Sequence, residues 1–120
     1  LLRRLAEKKI TVVITTDHGA IRVQKPVKVV GDRLTSMNLR YKTGRNLDYN
    51  PREVFEIKNP VQAGLPMTNI SSRYIFAREN DFLVYPNNFN QVASYYRDTL
   101  QHGGISMQEM LVPVSILEPL

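Results

Sequence analysis

The apolar residues of this chain fall into short runs separated by turn-forming residues. Leucine and alanine at positions 1, 2, 5 and 6 recur at the spacing of one helical face. The run ITVVITT at residues 10–16 is β-branched almost throughout and apolar on both faces. Such a run is typical of a central strand covered on both sides of a parallel sheet. A helix that leads into a buried strand is half of a βαβ unit.

The middle of the chain predicts several short elements. Residues 20–31 indicate one or two exposed strands broken at Pro26, and residues 39–42 indicate a further short strand. The sequence Asn-Pro-Arg-Glu at residues 50–53 has an N-cap residue followed by proline at the first helical position. It therefore predicts a short helix that ends near Ile57.

The second half of the chain alternates between strand and helix patterns. Residues 73–77 and 82–85 flank a polar turn and predict a β-hairpin. Residues 90–101 predict a helix that ends at a His-Gly-Gly turn. Residues 106–109 have the spacing of a capping box, and residues 110–117 predict a closing strand.

These patterns together predict an α/β fold with a mostly parallel sheet flanked by helices. The length of 120 residues suits one domain or part of one. The chain begins with Leu1 rather than Met, and no capping residue precedes the first helix. We therefore interpret residues 1–120 as a piece of a longer protein.

The composition excludes several classes of protein. The chain has no cysteine, which removes disulfide scaffolds, Cys-based zinc fingers and thiol nucleophiles. No apolar run approaches the roughly 20 residues of a membrane span, and the start of the chain is not a signal peptide. We expect a protein that makes no contact with a membrane. We also expect it in the cytoplasm, since a cysteine-free chain is compatible with a reducing compartment.

The charge is concentrated in the first half of the chain. The net charge is +5, yet the first 60 residues hold 13 basic and 6 acidic side chains. The densest basic segment runs from Arg22 to Arg45 and is interrupted by Asp32 alone. A positive surface of this kind concentrates phosphate esters and other polyanions, although a solvated basic face would have the same composition. A nucleic-acid binding module would interleave aromatic residues for base stacking, and this segment has only Tyr41.

Both histidines of the chain lie in glycine-containing turns at the ends of predicted elements. His18 follows Asp17 in the sequence TTDHG, and His102 stands in QHGG. Imidazole and carboxylate are common zinc ligands. Each turn alone is typical of a local hydrogen bond or a helix C-cap, but the joint occurrence favours a metal site.

These motifs carry a resemblance to a known family. The sequence TVVITTDHG, followed later by HGGISMQEMLVPV, resembles the C-terminal half of the PglZ domain, a branch of the alkaline phosphatase superfamily. The intervening NLRYKTGRNL looks most like the PglZ domain at the end of PorX-type response regulators. The resemblance implies an alkaline phosphatase-like fold, of which the chain is a C-terminal fragment. It also implies that the upstream receiver domain and the N-terminal half of the catalytic domain are absent.

The resemblance implies a two-metal hydrolase of phosphate esters. Asp17 and His18 match the ligands of the metal beside the nucleophile, and His102 matches a ligand of the second metal. The resemblance favours two divalent ions, with zinc as the first choice and manganese as an alternative. It places the nucleophile and the remaining ligands upstream, so we assign no catalytic residue to this chain and expect the isolated fragment to be inactive.

The predicted function is part of a phosphodiesterase or phosphatase output domain of a two-component response regulator, linked to type IX secretion. Arg40, Lys42 and Arg45 would form a cationic rim that binds the substrate, a phosphate ester such as a nucleotide or oligonucleotide. A histidine kinase would act through the missing receiver domain, and a homodimer is left open. The alternative is a non-catalytic basic binding or signalling module on the same fold.

Overall fold

The structure is a computed structural model that describes residues 1–32, 35–67 and 70–120. Its helices are α1 (Leu2–Glu7), α2 (Phe89–Tyr96) and α3 (Met107–Met110). Its strands are β1 (Val12–Thr15), β2 (Ile21–Arg22), β3 (Lys25–Lys28), β4 (Tyr41–Gly44), β5 (Val54–Ile57), β6 (Arg73–Ala77), β7 (Asp81–Val84), β8 (Leu100–Gln101) and β9 (Val114–Leu117). Within the described ranges, no helix combines the length and the apolar character needed to cross a bilayer.

The fold is mixed α/β with small sheets. Strand β1 pairs with β9 and β2 with β8, both antiparallel, and β6 lies between β4 and β5 in an antiparallel sheet of three strands. The pair β3–β7 is the one parallel pairing between the described strands. The predicted mostly parallel sheet is therefore not what these strands form. Parallel pairing needs long crossovers, whereas the described helices are only 6, 8 and 4 residues long.

Strand β1, which the sequence predicts to be central, instead pairs with β9 in an exposed ribbon of two strands. Val13 and Ile14 of β1 are exposed, as are Ile116 and Leu117 of the paired strand β9. The apolar pattern correctly predicts a strand here. The expected burial on both faces is wrong for this chain, because no described element packs on the ribbon closely enough to cover these side chains.

The core is built around the parallel pair β3–β7. Side chains alternate between the two faces of a strand. Leu83 of β7 therefore joins Val27 and Ile75 in a cluster beneath the three-stranded sheet. Its neighbours Phe82 and Val84 point to the other side, where α2 covers them. Strand β7 is thus buried on both faces, whereas β3 buries Val27 and exposes Lys25 and Lys28.

The prediction of one or two strands over residues 20–31 is confirmed by β2 and β3, but the expectation that they are exposed is wrong for one set of side chains. Val23, Val27 and Val29 are completely buried or nearly so. Pro26 lies within β3 rather than interrupting it. A strand with a single ladder partner leaves one edge free of hydrogen bonding, so a residue without an N–H group is accommodated there.

The predicted helix over residues 50–57 is a turn followed by strand β5. The side chain of Asn50 accepts a hydrogen bond from the backbone N–H of Arg52 at 3.1 Å, and its carbonyl accepts one from Glu53 at 3.0 Å. Asparagine closes turns in the same way as it caps helices. The residues of β5, two of them β-branched and one aromatic, then favour a strand.

The second half of the chain contains the predicted strands but not the predicted hairpin. Strands β6 and β7 follow one another around a turn at residues 78–81, yet β6 pairs with β4 and β5 while β7 pairs with β3. The predicted helix ends at Tyr96, earlier than expected. Asp98 then adopts a positive φ of 62°, and the chain returns as the short strand β8.

We expect the core and the exposed ribbon to respond differently to the same substitution. Ile75→Ala should lower the free energy of unfolding by about 2–5 kcal/mol, because Ile75 is 0% exposed and its removal leaves a cavity. The matched control Ile116→Ala, at a residue 63% exposed, should change it by less than about 0.5 kcal/mol. Urea unfolding of the two variants measures both values. Equal losses would contradict this description of the core.

Candidate functional site

The two histidines of the chain come together in the folded structure. The rings of His18 and His102 are stacked, with centroids 3.7 Å apart and planes inclined by 10°. One ring comes from the turn after β1 and the other from the turn after β8. The structure therefore brings together residues from distant parts of the sequence, as a shared site requires.

The Asp-His-Gly turn holds its histidine in a defined orientation. His18 Nδ1 lies 2.8 Å from the carbonyl oxygen of Gly19, which can only accept a hydrogen bond, so Nδ1 carries the proton. In the neutral ring the lone pair is then on Nε2, which lies 3.6 Å from Oδ1 of Asp17. Two ligands of one tetrahedral zinc ion, with bonds of ~2.1 Å, lie ~3.4 Å apart. Asp17 and His18 are therefore spaced like two ligands of one ion.

The His-Gly-Gly turn is held by a different set of contacts. It follows strand β8 and not a helix, so its glycines are not the helix C-cap that the sequence suggests. Gly103 has a φ of 98°, a conformation that favours glycine. The side chain amide of Asn38 donates a hydrogen bond to the carbonyl of His102 at 3.3 Å.

The stacked rings cannot share a single ion in this arrangement. A ring nitrogen presents its lone pair in the plane of the ring, and two nearly parallel planes do not meet close to the rings. Each histidine would therefore serve its own ion, as the ligands of a two-metal site do. Within residues 1–32, 35–67 and 70–120, no group of three or more His, Cys, Asp or Glu side chains is arranged to hold a metal ion.

Glu109 joins the two turns. Its carboxylate accepts hydrogen bonds from the backbone N–H of Gly104 at 2.9 Å and from the hydroxyl of Ser106 at 2.6 Å. It also accepts the N–H of Ser106, which confirms the predicted capping box at the start of α3. The backbone carbonyl of Glu109 accepts the N–H of Gly19 at 2.8 Å. The sequence indicates Glu109 only as a capping residue, because its other contacts depend on tertiary structure.

Glycine is required at two of these contacts by close packing. A Cβ atom at Gly19 would lie 1.9 Å from the backbone oxygen of Gln108, and one at Gly104 would lie 2.5 Å from Oε2 of Glu109. Both turns therefore rest directly on α3. This contact fixes the position of each histidine relative to the other.

Arg40 lies inside the protein rather than at a rim. Its Nε and Nη2 atoms donate to the two oxygens of Glu109 at 2.8 and 2.9 Å, and both side chains are buried. Its guanidinium also donates to the carbonyls of Glu79 and Asp81. The expected placement of Arg40 at a substrate-binding rim is thus corrected. An isolated buried charge is costly. The guanidinium of Arg40 avoids this cost because it is paired with a carboxylate and donates hydrogen bonds to the turn carbonyls.

The other two expected rim cations occupy different environments. Lys42 is 1% exposed, and its Nζ lies 4.3 Å from the centre of the Tyr85 ring. Burial lowers the pKa of Lys42 to about 8. Arg45 is exposed. Of the three residues expected to bind substrate, Arg45 alone is therefore accessible at the surface, because the pattern of charge in the sequence does not reveal burial.

The Arg40–Glu109 pair should be a large and pH-dependent contribution to stability. Burial opposes ionisation of Glu109, but hydrogen bonds from Arg40 and Ser106 and the charge of Arg40 outweigh it and hold the pKa of Glu109 below its usual value. A carboxyl whose pKa is lowered by folding stabilises the folded state at pH values above its pKa in the unfolded chain, near 4.5. This contribution is lost as the pH falls through the pKa of the carboxyl in the folded state. Arg40→Met should therefore lower the free energy of unfolding by about 3–5 kcal/mol at pH 7. The loss should be smaller near pH 4, because the carboxyl of Glu109, left without its partner, then takes up a proton.

Arg45→Met is the matched control for this substitution, since Arg45 is exposed and should contribute less than about 0.5 kcal/mol. Urea unfolding of both variants at the two pH values provides the measurement. A loss at Arg40 that does not depend on pH would mean that packing, not the ion pair, accounts for it.

The chain matches a family of known domains over almost its whole length. The family model described as the BREX system PglZ alkaline phosphatase-like domain matches residues 1–116, a range that includes both histidine turns. No individual curated protein matches the chain. The resemblance to the PglZ domain is confirmed, while the likeness to PorX-type regulators stays a prediction. The chain therefore belongs to the family of PglZ alkaline phosphatase-like domains.

Proposed function

We propose that this chain supplies part of a two-metal centre that hydrolyses phosphate esters. The observation that carries the proposal is the stacking of His18 on His102, with Asp17 beside the free nitrogen of His18. Membership of an alkaline phosphatase-like family supports a phosphoesterase-type activity. The combination favours a hydrolase over a module that only binds.

The residues present fit a pair of divalent ions. Asp17 and His18 would hold one ion and His102 the other, since the ring planes are separate and nearly parallel. Histidine with carboxylate suits zinc and also manganese. When bound, such ions stabilise the charge that develops on the attacking and leaving oxygens of a phosphate ester.

The chain's own groups orient these ligands. The hydrogen bond from His18 Nδ1 to the Gly19 carbonyl keeps the proton away from the nitrogen that faces Asp17. Glu109 holds the two turns at a fixed separation through Gly19 and Gly104. These contacts would orient the two histidines before an ion binds, whereas the side chain of Asp17 is exposed.

The wider assignment rests on the sequence resemblance. We infer a phosphodiesterase or phosphatase output domain of a two-component response regulator that acts in the cytoplasm in connection with type IX secretion. A receiver domain would couple it to a histidine kinase, and a nucleotide or oligonucleotide would be the phosphate-ester substrate. The exposed Arg45 remains the candidate for attracting that substrate. The NLRYKTGRNL segment is the feature that supports this context.

The alternative of a non-catalytic basic module receives less support. Two cations of the basic segment, Arg40 and Lys42, are buried and unavailable to a large polyanion. A binding module also has no need for two stacked histidines beside a carboxylate.

The metal-binding part of the proposal has a direct test in this chain. His18→Ala and Asp17→Asn should each weaken zinc binding by about tenfold or more, because each removes a ligand from the same ion. Asp98→Asn is the matched control, since Asp98 is exposed, has a positive φ that asparagine tolerates and lies outside the site. Calorimetry measures the affinity, and the imidazole ¹⁵N signal of His18 reports directly on coordination at Nε2. Equal zinc affinity in all three variants would refute the proposed ligands.

The catalytic part predicts that residues 1–120 alone do not hydrolyse bis-p-nitrophenyl phosphate in the presence of zinc, because no nucleophile is assigned to them. A longer protein that adds the expected upstream half of the domain should show turnover, and His18→Ala in that protein should abolish it. Steady-state kinetics of the three samples provides the measurement. Turnover by the chain alone would place the nucleophile within these 120 residues.

A further inference from the structure

A second site candidate is a cavity of about 390 Å³ between α2, β7 and the segment that leads into β4. Its walls are mostly apolar and include Leu39, Leu83 and Val92. None of the residues that line it belongs to the histidine site or holds that site in place. A volume near 390 Å³ lies in the range typical of small-molecule sites.

The cavity contains a buried cation without an anionic partner. Lys42 lines the cavity, and none of the described carboxylates lies within ion-pair distance of its ammonium group. Lysine is among the residues least often fully buried, because its ammonium is strongly hydrated in water. The face of the Tyr85 ring, 4.3 Å from Nζ, compensates only part of the lost hydration. A bound anion would offset the part of this desolvation cost that the ring does not compensate.

The lining also restricts the charge and shape of a ligand. Besides Lys42, the polar side chains of the lining are those of Tyr85, Asn87 and Tyr96. The hydroxyl of Tyr85 already donates to the carbonyl of Ser36 at 2.9 Å. Asn87 and Met37 are exposed and so mark the open end of the cavity. One buried cation among apolar walls suits a single negative charge on a hydrocarbon body, whereas a phosphate dianion needs several donors.

We propose that this cavity binds a small organic monoanion, a carboxylate on a hydrocarbon body, with the carboxylate against Lys42 Nζ. The hydrocarbon body would lie along Leu39, Leu83 and Val92, which are already apolar. The lowered pKa of Lys42 is consistent with an ammonium that lacks its counter-ion. This site is separate from the proposed phosphoesterase centre and does not depend on it.

Octanoate and octanol are a matched pair of probes, since they share a hydrocarbon body and differ in charge. Isothermal titration calorimetry should show saturable binding of octanoate to the chain. Lys42→Met, which keeps the length of the side chain, should weaken octanoate by about tenfold or more and leave octanol unchanged. Lys28→Met is the control, because Lys28 is an exposed lysine whose Nζ also lies over an aromatic ring, 5.4 Å from the centre of Phe89.

A second variant keeps the test valid if Lys42→Met does not fold. Val92→Trp should fill the cavity from α2 with Lys42 still present, and it should abolish binding of octanoate and octanol alike. The proposal is overturned if wild type does not bind octanoate, or if Lys42→Met and Val92→Trp bind octanoate as tightly as wild type does. It is also overturned if Lys42→Met weakens octanol as much as octanoate, since the ammonium would then have no role.

Discussion

The ion pair between Arg40 and Glu109 is the interaction on which the site depends. Arg40 also donates hydrogen bonds to the carbonyls of Glu79 and Asp81, at the turn that joins two core strands. Glu109 uses its own remaining acceptors on the two histidine turns. A buried pair offsets its desolvation only when its hydrogen bonds are complete. The core and the candidate metal site are therefore stabilised by the same set of contacts.

Family membership and local geometry both support the proposed function. The family match covers both histidine turns but does not describe their arrangement in this chain. In the proposed site, the stacked rings of His18 and His102 favour two ions over one, because parallel planes direct their lone pairs to separate positions. The tautomer of His18, set by the Gly19 carbonyl, then determines which nitrogen is available.

The parts of the structure that local sequence determines could be predicted. The capping box of α3 was one of these, since Ser106 and its partner act over a single helical turn. The pairing of β6 and β7 with other strands could not be predicted, because partners are chosen by packing in the core. The burial of Arg40 and Lys42 was also missed, because charged residues are normally exposed and their partners lie far away in sequence. The convergence of the two histidines could be expected from the sequence, because the resemblance to a known family links the two motifs that contain them.

The dual use of Glu109 has a consequence for motion in the native state. The amide of Gly19 bonds to its backbone carbonyl, and the amide of Gly104 bonds to its carboxylate. Neither amide can exchange its hydrogen with solvent until the contact with α3 opens. The two glycines are distant in sequence, but a single displacement of this short helix releases both. They therefore belong to one cooperative unit of local unfolding, which opens when α3 moves away from both histidine turns.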